Sequence, residues 1–427
     1  MKEGRTVYLA YLARCEQAYR PFAPIELPEF FKGRREHVDL MVGELRSPGR
    51  QAAIIGERGV GKTSLALLAD FFANVSDEHT HFVRCETSST YEAIFGQVLL
   101  RAGAVYLPES LETESSRNAA LAGGPLSLSR SRVARSRHQV IPSARAVGPG
   151  TLLEVFRQRE GLLILDEYDR VRDTATHTRV AETIKHFSDA SSKTKIIVVG
   201  VAETLTDLIG AHESLTRSVA QIKLGRMNHS DLSEIVREGE DRIGLVFQEQ
   251  VRRKIIALSD GFPFYTHLLC KYCAEEAGKV VVQHPEAKPV VTEAEYRKAI
   301  RKATETAEST LRGDYQAAVI TVKRKTDMFK YVLWAVAYAE PIEVQVQQIA
   351  QNIALWTGAR PKVESLGNYL GPLTRSEKKR VLPRVRQGYY KFTDPLMRAY
   401  VRLLLEEYNI VETNGQLQFP WMRTVWP

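Results

Sequence analysis

Nine consecutive residues limit the fold of this chain more than any other part of it. Gly56, Glu57, Arg58, Gly59, Val60, Gly61, Lys62, Thr63 and Ser64 carry the spacing G-x-x-x-x-G-K-[ST]. Residues 52–55 before them read as a short buried strand, and residues 65–70 after them as a helix. That strand–loop–helix setting separates a phosphate-binding loop from a glycine-rich turn. Glycines let successive backbone N–H groups turn inward onto an anion, and the helix N-terminus adds the positive end of its dipole. The whole loop is therefore expected to cradle the phosphates of a nucleotide. Lys62 is expected to reach the β- and γ-phosphates, and the Thr63 hydroxyl to hold Mg²⁺.

A metal-bound triphosphate needs a second carboxylate source, and residues 161–167 supply one. Four apolar residues, 162–165, make a strand buried on both faces, ending in Asp166 and Glu167. Asp166 is expected to coordinate Mg²⁺ directly or through water, and Glu167 to polarise an attacking water. Asp169 and Arg170 read as a local ion pair. A further apolar run, 195–201, is expected beside the Asp166 strand, with Glu203 or Thr204 as polar candidates at its end. Arg217 precedes one more strand, 219–224. It stands where a neighbouring subunit's phosphate could be reached, and an arginine presented in trans can raise the rate by orders of magnitude. A surface or salt-bridged arginine is the alternative.

The 427 residues suffice for two to four ordinary domains. With 44% hydrophobic and 26% charged residues the balance is globular. No run is long enough for a membrane helix, and the N-terminus lacks the apolar stretch of a signal peptide. A soluble cytoplasmic protein without a membrane partner is expected. Four scattered cysteines make no disulfide framework, and Cys270 and Cys273, on a reading of 263–277 as a helix, are expected to be small buried residues. The net charge of +8 suits an acidic partner or simple solubility.

These motifs resemble the AAA+ and STAND nucleotide-switch ATPases, in the branch holding archaeal-type ATPases, replication-initiator ATPases and transposon ATP-dependent regulators. The resemblance covers residues 21–310 and continues more loosely to the end. Residues 28–34 look like the F-x-G-R segment that packs near adenine in these families, which implies that Gly33 and Arg34 contact the nucleotide. Gly261-Phe262-Pro263 looks like the G-x-P turn of a helical lid, which gives Pro263 the same role. Asn228-His229-Ser230-Asp231 looks like the start of the first lid helix, with Ser230 or Asp231 a plausible cap. ATP or ADP with Mg²⁺ is the implied cofactor, and hydrolysis, slow or fast, the implied activity. The chain departs from the pattern in two ways. Phe264-Tyr265-Thr266-His267 stands where many AAA+ members carry a sensor arginine, and the histidine motif of STAND winged helices is missing.

The expected fold is α/β, with a P-loop NTPase core on a parallel sheet (28–227), an all-α lid (228–312) and a C-terminal winged helix-turn-helix (313–427). Residues 1–27 form an arm, expected to be a helix packed on the core or, alternatively, a partner-binding element. Residues 108–150 read as a flexible insertion. They carry Arg117, Arg130, Arg132, Arg135, Arg137 and Arg145, and from Ser115 onward no Asp, Glu or Lys. Lid helices are expected at 231–240, 249–259, 263–277 and 292–311. In the C-terminal part, helices are expected at 327–339, 344–355 and 362–373, a β-wing at 381–392, and a last helix from Asp394-Pro395 to 406. Arg375, Lys378, Lys379, Arg380, Arg384, Arg386 and Lys391 gather between the third helix and the wing, where duplex DNA would be contacted. Two readings follow: an oligomerising ATP-driven switch acting on or near DNA, or a nucleotide-bound regulator of an effector protein in a defence or signalling complex. A small-molecule kinase would share the phosphate loop but not this lid and C-terminal module.

Overall fold

The computed structural model describes residues 2–75, 79–107, 139–142, 147–210, 215–320, 327–412 and 419–423. Most of the arginine-rich insertion, including all six of its arginines, lies outside the described residues. None of the described helices is long and apolar enough to cross a membrane.

The chain opens with helices α1 (Lys2–Ala18) and α2 (Arg35–Arg46). It then builds a five-stranded parallel sheet from β1 (Gln51–Gly56), β2 (Thr80–Arg84), β5 (Gly161–Asp166), β6 (Thr194–Gly200) and β7 (Val219–Leu224), in the order β2-β5-β6-β1-β7. The helices between them are α3 (Lys62–Leu67), α4 (Tyr91–Arg101), α5 (Pro149–Phe156) and α6 (Thr174–Asp189). A short parallel pair, β3 (Ala104–Leu107) with β4 (Gln139–Pro142), flanks the insertion; composition alone does not announce it.

Central strands β5 and β6 are buried at every residue, because helices cover both faces. Their side chains alternate accordingly. Ile54, Ile164 and Val199 point into one core, and Ile55, Leu165 and Val198 into the other. Edge strand β7 alternates buried and exposed positions over its last four residues. All five strands run the same way, so Gly56, Asp166 and Gly200 end at one edge of the sheet. A parallel sheet places its ligand crevice at that edge.

The lid comprises α7 (His229–Ile243), α8 (Glu249–Leu258), α9 (Pro263–Ala277) and α10 (Glu293–Thr306). The small strands β8 (Val246–Phe247) and β9 (Val290–Val291) pair in parallel within it. The cap of α7 is Asn228, whose side chain accepts the Asp231 N–H; it lies two positions before the expected Ser230 and three before Asp231. The single helix expected at 292–311 is two. Extended backbone at Ala307 and Glu308 separates α10 from α11 (Ser309–Val319) and brings Glu308 to the phosphate loop. Helix α1 packs on the lid rather than on the sheet. Its buried stripe runs through Tyr11, Cys15, Ala18 and Tyr19. The Tyr11 and Tyr19 hydroxyls donate to Ala274 and Val236 carbonyls, each at 3.0 Å. Cys270 and Cys273 are buried in α9, and burial pushes both thiols well above their usual range.

Beyond the lid come α12 (Met328–Tyr338), β10 (Val344–Gln345), α13 (Val346–Thr357) and α14 (Val363–Leu373). A hairpin of β11 (Arg384–Arg386) and β12 (Tyr389–Tyr390) follows, then α15 (Pro395–Glu412). Strand β12 lies between β10 and β11. The three helices, hairpin and final helix appear in the expected order, with a shorter hairpin. One apolar core runs without interruption from the sheet through the lid into this module, joining Ile54, Leu232, Leu268, Val332, Leu366 and Val401.

Close packing of α1 on α7 generates a test. A Cβ on Gly239 would lie 2.1 Å from the Tyr19 ring. Alanine in place of glycine in a helix ordinarily gains up to about 1 kcal/mol, whereas overpacking a core costs about 1–3 kcal/mol. Here Tyr19 is fully buried and hydrogen-bonded, so the second effect wins. Gly239→Ala is expected to lower the melting temperature, and a raised melting temperature would contradict this packing.

Candidate nucleotide site

The phosphate loop bridges β1 and α3 with Gly56, Gly59 and Gly61 all at positive φ. Two of them also lie close against neighbours, Gly56 against backbone. A Cβ on Gly56 would lie 2.2 Å from the Leu224 carbonyl, and one on Gly59 would lie 2.8 Å from the Leu396 side chain. Lys62 Nζ donates to the carbonyls of Gly56 at 3.0 Å and Glu57 at 2.8 Å, filling the loop with its own ammonium group. Burial lowers the Lys62 pKa to about 8, opposed by Asp169 and Asp166.

Asp166 ends β5 almost fully buried, and the Thr63 hydroxyl stands 3.1 and 3.2 Å from its two oxygens. Burial raises the Asp166 pKa, and the Thr63 hydrogen bond opposes the rise. A hydroxyl and a buried carboxylate facing each other suit a hard divalent cation with oxygen ligands. Glu167 adopts a left-handed conformation (φ 55°) that turns it away from the strand direction. Its Oε2 lies 3.0 Å from Arg170 Nη1 in an ion pair. The Asp169–Arg170 pair expected from adjacency does not form. The tight turn after β5 brings Arg170 back onto Glu167, and Asp169 instead accepts the Val201 N–H at 2.8 Å.

A cleft of about 570 Å³ runs from this edge to the lid, within the roughly 300–1,000 Å³ of small-molecule sites. Lys62, Thr63, Asp166, Glu167, Arg34 and Pro263 all line it. Pro263 starts α9. Arg34 is buried and spends Nη2 on the carbonyls of Val60 at 3.0 Å and Gly225 at 2.7 Å, so it braces the loop from below. Burial lowers its pKa to about 10. Gly33, at φ 70°, lets the chain pass Asp231, and its N–H donates to Glu234. The Ser64 hydroxyl accepts the Ile25 N–H at 3.0 Å, tying residues 21–25 to the cleft wall. Glu203 and Thr204 do not line the cleft; Thr204 instead caps the turn Leu205–Ile209 through Asp207. Arg217 is exposed at the start of β7, the edge opposite the phosphate loop. Six residues at about 3.3 Å each put it roughly 20 Å from its own loop.

Several residues with no motif to mark them complete the site. Arg226 follows β7, and its guanidinium donates to Glu57 of the loop at 2.8 Å and to Asp260 at 2.7 Å. Asp260 also accepts from Arg402 at 2.9 Å and lies 3.8 Å from Arg398, both on α15. Burial pushes Arg402 down to about 9, with Asp260 opposing. Arg58 reaches Glu308 at 2.5 Å and Asp394 at 3.4 Å. The Tyr265 hydroxyl donates to the Leu396 carbonyl at 2.9 Å. The phosphate loop thus touches α15 directly and again through Arg226 and Asp260. At the far end of the cleft, His267 is buried and its Nδ1 has no hydrogen-bond partner; burial lowers its pKa to about 4, so it stays neutral. Only chain-distant pairings could have identified these groups.

The basic residues of the C-terminal module divide. Arg375, Lys379, Arg380 and Arg384 are exposed. Arg386 lies over the Tyr389 ring and 3.5 Å from Glu343. Lys391 is half-buried. Lys378 turns inward onto the Ala317 and Ile320 carbonyls and the Phe329 ring, so its ammonium group fastens α11 instead of facing solvent.

Two outcomes follow from this geometry. Phosphates favour the charged Lys62, so its pKa rises on binding and a proton is taken up above pH 8. Nucleotide affinity is therefore expected to fall as pH rises through about 8, by up to about tenfold per unit. Titration with a fluorescent nucleotide from pH 7 to 9.5 reads this slope, which Lys62→Arg should flatten. Asp260→Asn leaves the guanidinium groups of Arg226, Arg398 and Arg402 without their shared carboxylate. A loss of about 3–5 kcal/mol is expected by urea denaturation; a loss below about 1 kcal/mol would remove the network from its structural role.

A family model described as Novel STAND NTPase 1 matches residues 19–324. Among curated proteins, no sequence matches the chain. Solved structures similar to it include a Walker-type ATPase of Pyrococcus abyssi, at 15% identity and TM-score 0.45, covering 89% of this chain and 99% of that one. The ORC2 protein of Aeropyrum pernix is similar at 14% identity and TM-score 0.48, with 94% and 98% covered. The RuvB Holliday junction branch migration motor of Thermotoga maritima is similar at 14% and 0.43, with 89% and 97% covered.

Proposed function

The chain belongs to the novel STAND NTPase 1 family, and from that premise we propose that it is a slow ATP-driven switch. The observation that carries this reading is the Thr63 hydroxyl against the buried Asp166 carboxylate, with Glu167 next in the chain and Lys62 beside it. Thr63 and Asp166 would hold Mg²⁺, which would neutralise charge on the phosphates. Lys62 would leave its two carbonyls for the β- and γ-phosphate oxygens. Glu167, freed from Arg170, would accept a hydrogen bond from the attacking water and orient it. The Glu167–Arg170 pair is what makes turnover slow in this reading, since the carboxylate must first leave its partner.

The switch would be read out by α15. Arg58 and Glu57 both sit on the loop, so any shift of the loop on phosphate binding pulls on Asp394, Glu308 and Asp260. The exposed position of Arg217, roughly a sheet's width from its own site, supports service to a neighbour's γ-phosphate in an oligomer. The C-terminal elements are read as a winged helix. Exposed Arg375, Lys379, Arg380 and Arg384 suit the phosphates of duplex DNA. A second reading, an effector protein as the partner, is favoured by the outward face of α14. That face presents Glu364, Ser365, Gly367 and Asn368 and no cation.

Steady-state ATPase with and without duplex DNA tests the proposal. Glu167→Gln is expected to retain nucleotide but to lose about 100-fold or more in turnover. Unchanged turnover in this variant would overturn the hydrolytic role. DNA-indifferent turnover, with no DNA binding at about 0.1 M salt, would leave the effector reading in place of the DNA one.

A further inference from the structure

A second cavity, of about 220 Å³, opens at the other edge of the sheet, between the starts of β2 and β6. Its lining includes His79, His81, Arg101, Phe156, Arg159 and Thr194, and no carboxylate among the described residues. From Gly161 to Asp166, β5 separates it from the nucleotide cleft by five steps, roughly 17 Å.

The groups in it are held as a binding site is held. Arg101 spends one nitrogen on the Phe82 carbonyl at 2.9 Å, and Arg159 one on the Ala102 carbonyl at 3.1 Å. Each guanidinium is thereby fixed, with its remaining donors free of any ion pair among the described residues; such planar forks suit phosphate oxygens. The Thr194 hydroxyl donates to the Phe156 and Arg159 carbonyls and so sets the turn that presents Arg159. His81 is 7% exposed and packs edge-on to Phe156 at 5.5 Å, and no hydrogen bond to its ring is found among the described residues. His79 stands exposed beside it.

We propose that this cavity is a second anion site, separate from the nucleotide cleft, that takes the dianionic phosphate of a phosphomonoester. Two permanent cations with two imidazoles favour a dianion over the monoanionic diester of an intact nucleic-acid backbone. The volume, below the roughly 300 Å³ at which small-molecule sites begin, admits the phosphate and the first atoms of its ester, not a whole nucleotide. Burial, and after it the neighbouring Arg101 and Arg159, lower the His81 pKa, so the ring is neutral and donates one N–H; a bound dianion opposes the two guanidinium charges.

Calorimetric titration of the full chain carrying Lys62→Ala, which silences the cleft, tests this with inorganic phosphate. One phosphate is expected to bind, and Arg159→Gln or Arg101→Gln to weaken it by about tenfold or more. Ribose 5-phosphate, and a short oligonucleotide with and without a 5′-phosphate, distinguish a free metabolite from a nucleic-acid end. Loss of all phosphate binding in Lys62→Ala overturns the proposal, as does affinity unchanged from that parent in both arginine variants. Should those variants fail to fold, the imidazole resonances of the chain carrying only Lys62→Ala decide. Phosphate must shift those of His81 and His79, and unmoved resonances reject the site.

Discussion

One carboxylate, that of Asp260, holds three parts of this molecule in register. It lies at the turn before the lid helix α9, with left-handed backbone (φ 50°) that points it back toward the sheet. Arg226 comes to it from the end of β7, and Arg398 and Arg402 from α15. Little water reaches the group, so the attraction is weakly screened. Burying charges is costly in itself, and an apolar cluster of equal volume could be as stable. Charge fixes geometry in a way that apolar contact does not: with this carboxylate displaced, three guanidinium groups are left without their shared counter-charge. The site is therefore held by an arrangement with few acceptable neighbours.

The same arrangement explains why the phosphate loop is a point of convergence. Its variable positions are not spacers. Glu57 faces Arg226, Arg58 faces Glu308 and Asp394, and Gly59, at positive φ, lies against the Leu396 side chain. The residues that the motif leaves free in general are those that connect this loop to the C-terminal module.

Legibility in the sequence followed distance along the chain. The loop and the strands at 51–56, 161–166 and 194–200 could be read because each is a local pattern with its own period or spacing. The expected neighbouring of the 195–201 run and the Asp166 strand is likewise found. The Asp260 network could not be read, since its members are spread from residue 57 to residue 402 and carry no common spacing. The break at Ala307 and Glu308 was hidden because no Gly or Pro marks it. Lys378 misled for a related reason: a basic residue in a basic stretch reads as solvated, whereas its ammonium group found two carbonyls. Asp169 and Arg170 were paired by adjacency, but in the turn after β5 the partner three residues back is nearer.

The uninterrupted core has a consequence for any large motion. Leu396, Met397 and Tyr400 of α15 are buried in the same cluster as Tyr265 and Leu268 of the lid. Swinging α15 away from the phosphate loop cannot expose charged groups alone; it must also bring this apolar seam into water. A released form would carry an adhesive surface that the resting form lacks, and water would press it toward the nearest matching surface. Letting go of the nucleotide pocket and taking hold of another molecule would then be two halves of one event, with solvent as the agent that joins them.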